Sequence, residues 1–397
     1  MPTAQSLQAM KKGMVIIMKF LFAPDSFKGS LTSQEIIEIL TRTAQKYFNP
    51  CEIVKVPIAD GGEGTLDAIL SAVNGTKKKM TVKGPMFADV EASYGILSDD
   101  TAFVEMAEAS GIALLPYKDG NAMETSTFGT GQLIVKAMEE GYRKIYMAIG
   151  GSATNDGGIG AMAALGVRFL DENDEELQPI GKNLIKIKKI DTSKLHPLAA
   201  KTTFTVLCDV KNPLIGEKGA TYVYGPQKGA VGKYKEELEL GMQNYAKVVE
   251  EQLKVRVADM PGAGAAGGFG AALNVFLHAT LQSGIETLFE LVKFDELLDG
   301  VDLIITGEGR VDYQSAFGKV LSGIGEHASK KGVPVIAIAG GMGDGAEELY
   351  QHGIDSIMTT VNRIITLDEA MERAEEFLEN AADRMFRFLS IGYSKLK

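Results

Sequence analysis

The sequence predicts an α/β fold in two parts: a doubly wound domain built on a parallel sheet, and a second, inserted α/β domain with a mixed sheet. Two observations lead to this prediction. At both ends of the chain, apolar strand patterns alternate with helical patterns, which is typical of an open parallel sheet. From residue 76 onward, short strand patterns follow one another without helices between them, which indicates a mixed sheet.

The N-terminal part follows the order strand, helix, strand, helix. Residues 14–22 and 53–58 are apolar runs that predict buried strands. Thr32 and Glu35 have the spacing of a capping box, which predicts the start of the first helix. Residues 59–65, Ala-Asp-Gly-Gly-Glu-Gly-Thr, form a loop between the second strand and the second helix. In sheets of this kind, ligands bind beyond the carboxyl ends of the strands.

The domain boundaries follow from where this alternation stops and returns. We expect residues 14–75 and 285–397 to form one discontinuous domain and residues 76–284 to form the inserted domain. Residues 1–13 are expected to be an unstructured extension. The alternation returns near the C-terminus in strand patterns at residues 301–306, 333–339 and 354–361.

Length and composition limit the class of protein. A chain of 397 residues exceeds what one hydrophobic core usually serves, so two domains are expected. The net charge of −11 argues against nucleic acid or an anionic membrane as a partner. Cys51 and Cys208 predict no disulfide framework and fit the cytoplasm, and the four histidines lack zinc-ligand spacing. No apolar stretch approaches the length of a membrane span.

A glycine-rich loop at residues 150–158, Gly-Gly-Ser-Ala-Thr-Asn-Asp-Gly-Gly, follows an apolar run at residues 145–149. Glycine lets the backbone approach a ligand closely, and the start of the next helix offers unpaired N–H groups. The loop is therefore either an anion cradle or a tight turn capped by its polar side chains. Ser152 also approaches the nucleophile elbow of an α/β-type serine hydrolase, but Thr154 stands where that motif needs glycine.

A second glycine-rich loop, at residues 261–270, contains a literal match to the dinucleotide-binding fingerprint. That fingerprint requires a strand directly before it and an acidic residue about twenty positions later, after a second strand. Residues 258–261 do not form a strand pattern, and the region after the loop is helical, so an NAD site is not expected. The small residues predict a close approach to a phosphate, which we favour, or to another backbone; they are Gly264, Ala265, Gly267 and Gly268.

Acidic residues follow several predicted strands. Asp60 lies in the loop at residues 59–65, and Asp209, Glu308 and Asp312 follow apolar runs. A carboxylate at the carboxyl end of a strand can bind Mg²⁺ or accept a proton. Helix capping or a surface turn explains any single one of them equally well.

Lys28 and Lys319 are the lysines best placed to pair with a phosphate, although a single lysine is more often solvated. Val320 follows Lys319, so the chain has no Walker A motif. Together these features favour an enzyme that handles a phosphate compound with Mg²⁺. A non-catalytic protein that binds a small metabolite is the alternative, and it would bind candidate metabolites and Mg-ATP without turnover.

Seven blocks lie in order along the chain, at residues 23–31, 57–65, 150–158, 209–214, 225–230, 261–268 and 306–312. Together they resemble the bacterial type I glycerate kinases. The resemblance extends from about Met18 to the last helix, and only the segment before Met18 departs from it. It implies ATP-dependent phosphorylation of D-glycerate, with 2-phosphoglycerate as the favoured product. It also implies that the doubly wound domain is Rossmann-like and that the other domain is inserted into it.

We assign hypothetical roles for in-line phosphoryl transfer in a crevice between the two domains. Asp60 is the first choice for the base that accepts the proton of the substrate hydroxyl, with Asp209 in reserve, and Lys28 is the catalytic cation. Mg²⁺ is expected on Asp209 together with Glu308 or Asp312. The residues expected to bind substrate or phosphate are Asp25, Ser26, Gly61, Gly62, Gly150, Gly151, Ser152, Thr154, Asn155, Gly264, Ala265, Gly267, Gly268 and Lys319.

The expected ligands are D-glycerate, ATP and Mg²⁺. No nucleic acid or membrane partner is expected, the expected location is the cytoplasm, and a homodimer is a candidate assembly.

Overall fold

The computed structural model describes residues 17–58, 61–62, 64–115, 121–316 and 320–394, which fall into two compact units. The first unit contains the described residues up to 58, Ser71–Val73, and those from Leu288 onward. The second contains Gly61–Leu70 and Asn74–Thr287. The predicted boundary at residue 75 had assigned Gly61–Leu70 to the first domain, whereas hydrogen bonds to Gly150 and Glu105 hold this segment to the second unit.

Strands and helices follow one another along the chain. The strands are β1 (Met18–Pro24), β2 (Cys51–Lys55), β3 (Thr76–Lys83), β4 (Asp89–Ser98), β5 (Thr101–Glu105), β6 (Lys144–Ala148), β7 (Arg168–Leu170), β8 (Lys189–Asp191), β9 (Thr203–Leu207), β10 (Thr280–Gln282), β11 (Leu303–Val311), β12 (Val335–Met342) and β13 (Ser356–Thr359).

The α-helices are α1 (Ser33–Tyr47), α2 (Thr65–Val73), α3 (Ala107–Ser110), α4 (Phe128–Glu139), α5 (Ile159–Ala164), α6 (Ala220–Tyr224), α7 (Lys233–Leu253), α8 (Ala265–Leu277), α9 (Gly284–Val292), α10 (Phe294–Leu297), α11 (Val320–Lys331), α12 (Leu367–Glu372) and α13 (Ala374–Ser394). Short 3₁₀ helices lie at Ile112–Leu114, Gly181–Lys186, Ala199–Lys201, Pro226–Lys228, Tyr313–Ala316 and Ala346–His352. Across the described residues, no helix combines the length and the apolar character needed to cross a bilayer.

The sheet of the first unit pairs its strands in parallel, in the order β13-β12-β11-β1-β2. The chain passes from β1 to β2 on one side and returns at β11 on the other side, so the strand order reverses between β1 and β11. Ligands of open α/β sheets bind beyond the carboxyl ends of the strands at such a reversal. The loop after β1 and the end of β11 meet at this point.

An aromatic core packs β1 against α13. Phe20 and Phe22 are two residues apart on β1, so their side chains lie on the same face of the sheet. The ring centroid of Phe386, on α13, lies 5.6 Å from that of Phe20 and 6.2 Å from that of Phe22. Phe48, which follows α1, adds a fourth ring 5.3 Å from Phe20. These side chains are buried, so they contribute apolar area that stabilises the unit.

The sheet of the second unit has the order β10-β9-β6-β5-β4-β3. Strands β5, β6, β9 and β10 are parallel, whereas β4 and β3 add antiparallel pairs. The mixed sheet that the short strand patterns predicted is thereby confirmed. The carboxyl ends of the four parallel strands lie at one edge, while β7 and β8 form a separate pair.

Strand β11 is longer than the sequence indicated. The predicted strand covered residues 301–306 and ended before Gly307. The strand instead continues to Val311 beside β12. A Cβ at Gly307 would lie 2.1 Å from the carbonyl oxygen of Ile338 on β12, so glycine allows the two backbones to pair there.

Replacing Phe386 by Ala should lower the free energy of unfolding by about 3–5 kcal/mol, because it removes a buried ring and leaves a cavity. Phe388→Ala on the same helix is the matched control, since Phe388 is 76% exposed while Phe386 is fully buried. The control should change stability by less than about 0.5 kcal/mol. Urea denaturation followed by circular dichroism measures both, and equal losses would show that the aromatic core does not stabilise α13.

Candidate functional site

Three strand ends bring polar groups to one edge of the second unit's sheet. Glu105 is the last residue of β5, the loop at residues 150–158 follows β6, and Asp209 follows β9. The exposed Asp209 carboxylate accepts a hydrogen bond of 2.9 Å from the N–H of Gly284, after β10. The structure therefore places Asp209 and the loop at residues 150–158 at neighbouring strand ends, as expected from a parallel arrangement.

The segment with Gly61 and Gly62 packs on the same edge. The N–H of Gly150 donates to the carbonyl oxygen of Gly61 at 3.0 Å. A Cβ at Gly150 would lie 2.6 Å from that oxygen and 2.7 Å from the Cα of Gly62, so a larger residue would force the two backbones apart. Asp60, the predicted base, precedes Gly61 in the sequence and lies outside the described residues, as does Lys319.

Glu105 is a site residue that the sequence did not single out. Its carboxylate accepts hydrogen bonds from the N–H groups of Gly64 at 2.9 Å and Leu66 at 2.8 Å. It thereby caps the start of α2, where Gly64 has no side chain to do so. Burial raises the pKa of Glu105 to about 7, and the two hydrogen bonds oppose that shift. Because Glu105 ends a parallel strand, the rule that selected Asp209 would have found it.

The second glycine-rich loop packs against the first. The N–H of Gly157 donates to the carbonyl oxygen of Gly267 at 2.9 Å. A Cβ at Gly267 would lie 2.1 Å from the carbonyl oxygen of Thr154, and one at Gly268 would lie 2.7 Å from the Cα of Gly157. Close approach to another backbone, one of the two roles left open for these glycines, is therefore what the geometry supports. Phosphate binding by Gly267 and Gly268 stays a prediction.

The start of the second loop makes similar backbone contacts. A Cβ at Gly264 would lie 2.2 Å from the carbonyl oxygen of Pro213, and Ala265 is buried. Residues 254–264 form turns and irregular backbone rather than a strand, as expected for a chain without an NAD fingerprint. A phosphate-binding role of Gly264 and Ala265 also stays a prediction.

The buried carboxylate of Asp156 fixes the end of the first loop. It accepts hydrogen bonds from the N–H and hydroxyl of Thr127, both at 2.8 Å, and from the N–H groups of Gly158 at 3.0 Å and Gly160 at 3.1 Å. Burial raises the pKa of Asp156, and these four hydrogen bonds oppose that shift. The C-terminal half of the loop is thus a capped turn, one of the two alternatives the sequence left open.

Lys228 is a second site residue that the sequence did not single out. It ends the 3₁₀ helix Pro226–Lys228, and its side chain is almost completely buried. Its Nζ donates to the Ser152 hydroxyl oxygen at 2.6 Å and to the Thr154 carbonyl oxygen at 2.8 Å. Burial lowers the pKa of Lys228 to about 7, and the nearby Asp156 charge opposes that shift. The block at residues 225–230 contains Lys228, but the sequence gives no reason to select this lysine, because an isolated lysine side chain is usually solvated.

Ser152 therefore has a lysine partner rather than the histidine that a Ser-His hydrolase needs. His327 pairs with Asp295 and His352 with Glu326, in the first unit. This geometry does not favour the α/β-type serine hydrolase considered as an alternative.

Thr154 and Asn155, both expected to bind a ligand, are fully buried. The Asn155 side-chain N–H donates to the hydroxyl oxygen of Thr221 at 3.0 Å. Within the described part of the chain, the Thr154 hydroxyl and the Asn155 Oδ1 have no hydrogen-bond partner. Desolvated polar atoms without partners are costly, so both side chains remain candidates for binding.

A second group of predicted residues lies in the first unit, where β1 and β11 adjoin. The N–H of Asp25 donates to the carbonyl oxygen of Gly307 at 2.8 Å, and its carboxylate accepts from the N–H of Ser26 at 2.6 Å. A Cβ at Gly309 would lie 3.4 Å from the backbone nitrogen of Lys28. The loop with Asp25, Ser26 and the exposed Lys28 therefore lies directly beside the segment of β11 that carries Glu308.

Glu308 and Asp312 have the oxygen donors that Mg²⁺ prefers. The Glu308 carboxylate accepts a short hydrogen bond from the Ser315 hydroxyl, and that of Asp312 accepts from the N–H of Gln314 at 2.9 Å. Among the described residues, no three His, Cys, Asp or Glu side chains cluster to hold a metal ion, and Asp209 belongs to the other unit. Mg²⁺ in kinase sites is commonly held by one or two carboxylates plus substrate phosphates, so these residues fit it.

The fold is that of an α/β protein in which glycine-rich loops and polar side chains follow parallel strands. A family model described as the glycerate kinase family matches residues 20–390. The chain is 46% identical over 363 residues to a glycerate kinase from Halalkalibacterium halodurans, covering 91% of this chain and 96% of that protein. It is 43% identical over 376 residues to the glycerate 2-kinase of Escherichia coli, covering 94% and 99%.

The fold agrees with a solved structure. The crystal structure of a protein assigned as glycerate kinase 2 from Salmonella typhimurium superposes with a TM-score of 0.83 at 38% identity, covering 96% of this chain and 100% of that one. The chain therefore belongs to the glycerate kinase family. The resemblance stated from the seven blocks and the predicted fold class are both confirmed.

Replacing Glu105 by Gln should remove a pH dependence of stability. The pKa of a glutamate is ordinarily 4.5 and that of Glu105 in the folded protein is about 7, so the folded state binds more protons between these values. The resulting stabilisation is fully present below pH 4.5 and is lost as the pH rises to about 7, a change of up to about 3 kcal/mol. The free energy of unfolding of the unmodified protein should therefore fall across this range relative to Glu105→Gln.

Urea denaturation at several pH values measures this difference. Glu172→Gln, on an exposed turn, controls for the loss of a carboxylate. If the free energies of unfolding of the unmodified protein and of Glu105→Gln differ by a constant amount across this pH range, burial does not raise the pKa of Glu105.

Proposed function

We propose that the chain transfers the γ-phosphoryl group of ATP to D-glycerate and that the product is 2-phosphoglycerate. The observation that carries the proposal is the family match over nearly the whole chain. The 2-phosphate product is supported by the Escherichia coli relative, whose name is glycerate 2-kinase.

Phosphoryl transfer needs positioning and charge neutralisation more than covalent chemistry. Lys28 is exposed beside β11 and can pair with phosphate oxygens there. Glu308 and Asp312 would hold Mg²⁺, which neutralises charge on the transferred phosphoryl group when it is bound. Asp209, in the second unit, stays a candidate for a metal ligand or a reserve base, because it is exposed and its carboxylate is oriented by Gly284.

Asp60 is proposed as the base that accepts the proton of the attacking hydroxyl. Its neighbours on the C-terminal side are anchored to the second unit by the Gly150 N–H and by the Glu105 carboxylate. Anchored neighbours of this kind suit a catalytic group, which has to be held in position. The crevice between domains, the homodimer and the cytoplasmic location stay predictions.

Purified protein with D-glycerate and Mg-ATP should produce ADP at a rate that depends on both substrates. A coupled assay for ADP measures the rate, with L-glycerate and glycerol as comparison substrates, and phosphorus NMR identifies the phosphoglycerate isomer. Absence of ADP formation would overturn the kinase proposal. Formation of 3-phosphoglycerate would overturn only the assignment of the product.

Asp60→Asn should lower kcat by about 10²- to 10⁴-fold, because a positioned general base contributes that much. The KM for ATP and the far-ultraviolet circular dichroism should change little. Asp209→Asn, assayed in parallel, tests the reserve base. If Asp60→Asn retains near-normal turnover while Asp209→Asn loses it, the base role passes to Asp209.

A further inference from the structure

Lys228, at the end of the 3₁₀ helix Pro226–Lys228, and Ser152, in the loop at residues 150–158, form a buried pair. The Nζ of Lys228 lies 2.6 Å from the Ser152 hydroxyl oxygen and 2.8 Å from the Thr154 carbonyl oxygen. Lys228 is 1% exposed and Ser152 is 7% exposed. In these interactions the protonated lysine can only donate, because an ammonium group has no lone pair.

The direction of this hydrogen bond determines what Ser152 can do. The pKa of Lys228 is about 7, so the free amine is also populated near neutral pH, and an anion bound beside the pair favours the ammonium form. In that form the Ser152 oxygen accepts from Lys228, and the Ser152 proton points to a different acceptor. No acceptor for that proton occurs among the residues that the structure describes, where Lys228 is the partner of the Ser152 side chain. Ser152 is therefore held as a hydrogen-bond donor whose acceptor has to come from a ligand or from solvent.

The backbone around Ser152 is also fixed. Ser152 forms an antiparallel bridge with Gly111, the N–H of Ile112 donates to the Gly151 carbonyl oxygen at 2.9 Å, and the N–H of Ala153 donates to the Ser110 carbonyl oxygen at 2.9 Å. Gly151 itself is exposed. The hydroxyl consequently lies next to the accessible part of the loop, where a bound molecule could reach it.

Lys228 is fixed from its own side. Its N–H donates to the Gly225 carbonyl oxygen at 2.9 Å, and its carbonyl oxygen accepts from the N–H of Ala122 at 2.9 Å. The nearby Asp156 carboxylate already accepts four hydrogen bonds, from Thr127, Gly158 and Gly160. Asp156 therefore balances the charge of Lys228 without competing for Ser152.

We propose that Lys228 is a positioning residue that fixes the Ser152 hydroxyl as a hydrogen-bond donor to an anionic oxygen group of a substrate. The group is the carboxylate of glycerate or a phosphate of ATP, because both are acceptors that favour a donor beside a positive charge. This inference rests on the proposed function for the identity of the two substrates. Lys228 acts through Ser152 and does not itself touch the substrate.

A double-mutant cycle tests the proposal with Ser152→Ala, Lys228→Met and the combined variant. Losing a hydrogen bond to a charged group should raise the KM of the substrate that Ser152 binds by about 10- to 100-fold in Ser152→Ala. Lys228→Met should raise the same KM when Ser152 is present and change it by less than about twofold when it is added to Ser152→Ala, because its effect passes through the hydroxyl. A rise confined to glycerate identifies the carboxylate, and a rise confined to ATP identifies the phosphate.

Lys182→Met is the matched control, because Lys182 is in the same unit and its exposed Nζ pairs with Glu124. It should leave both KM values unchanged. Independent effects of Lys228→Met and Ser152→Ala on KM would overturn the proposal, and so would unchanged KM values for both substrates in Ser152→Ala. The second criterion decides the matter even if Lys228→Met does not fold.

Binding measurements distinguish a failure of this inference from a failure of the proposed function. Calorimetric titration with D-glycerate and, separately, with Mg-ATP gives Kd values for the unmodified protein and each variant. If the unmodified protein binds without turning over, the proposed kinase function fails and the Kd values decide the Ser152 subsite by the same criteria. If it binds neither compound, the subsite proposal is overturned as well.

Discussion

The four hydrogen bonds to the buried Asp156 carboxylate are the interaction on which the second unit's site depends. They join the end of the loop at residues 150–158 to Thr127, at the start of α4, and to the start of α5. An uncompensated buried carboxylate would be very costly, so the loop conformation and the charge are stabilised together. Lys228 lies close enough to influence this charge, and it holds Ser152 and the Thr154 carbonyl from the other direction. The loop is therefore held from two directions, by hydrogen bonds to Asp156 at its end and by hydrogen bonds from Lys228 near its middle.

Glycine serves two different purposes in this protein, and the sequence could not separate them. The residues at 150, 267 and 268 lack side chains because a neighbouring backbone occupies the place of the Cβ. Gly151 is exposed and has a positive φ of 70°, a backbone conformation that favours glycine. Both uses produce the same pattern of glycine beside polar residues. Distinguishing them requires the position of a second loop, which is distant in sequence.

The sequence predicted the sheets and their edges better than the individual site residues. Alternating apolar runs indicated a parallel sheet, and the run of short strands from residue 76 indicated a mixed one, because both patterns are local. Glu105 obeys the same strand-end rule as Asp209, whereas Lys228 could not be identified because its role depends on burial by distant segments. Lys228 contacts a loop about 75 positions away, and nothing near it in the sequence distinguishes it from a solvated lysine. The assignment of Gly61–Leu70 to the second unit depends in the same way on Gly150 and Glu105.

An acidic chain with a net charge of −11 has to bind anions through local donors, because its overall field repels them. A lysine exposed in the site would attract any anion with little directional preference, since an ammonium is a rotatable point charge. Lys228 is buried instead, and its hydrogen bond to the Ser152 oxygen orients the Ser152 hydroxyl proton. The ligand therefore meets one hydroxyl proton of fixed direction in place of a point charge. If the acceptor is the glycerate carboxylate, this fixes one end of a small molecule that carries a secondary hydroxyl next to the carboxylate and a primary hydroxyl one carbon further away. The direction of the Ser152 O–H would then help to select which hydroxyl is presented for phosphorylation.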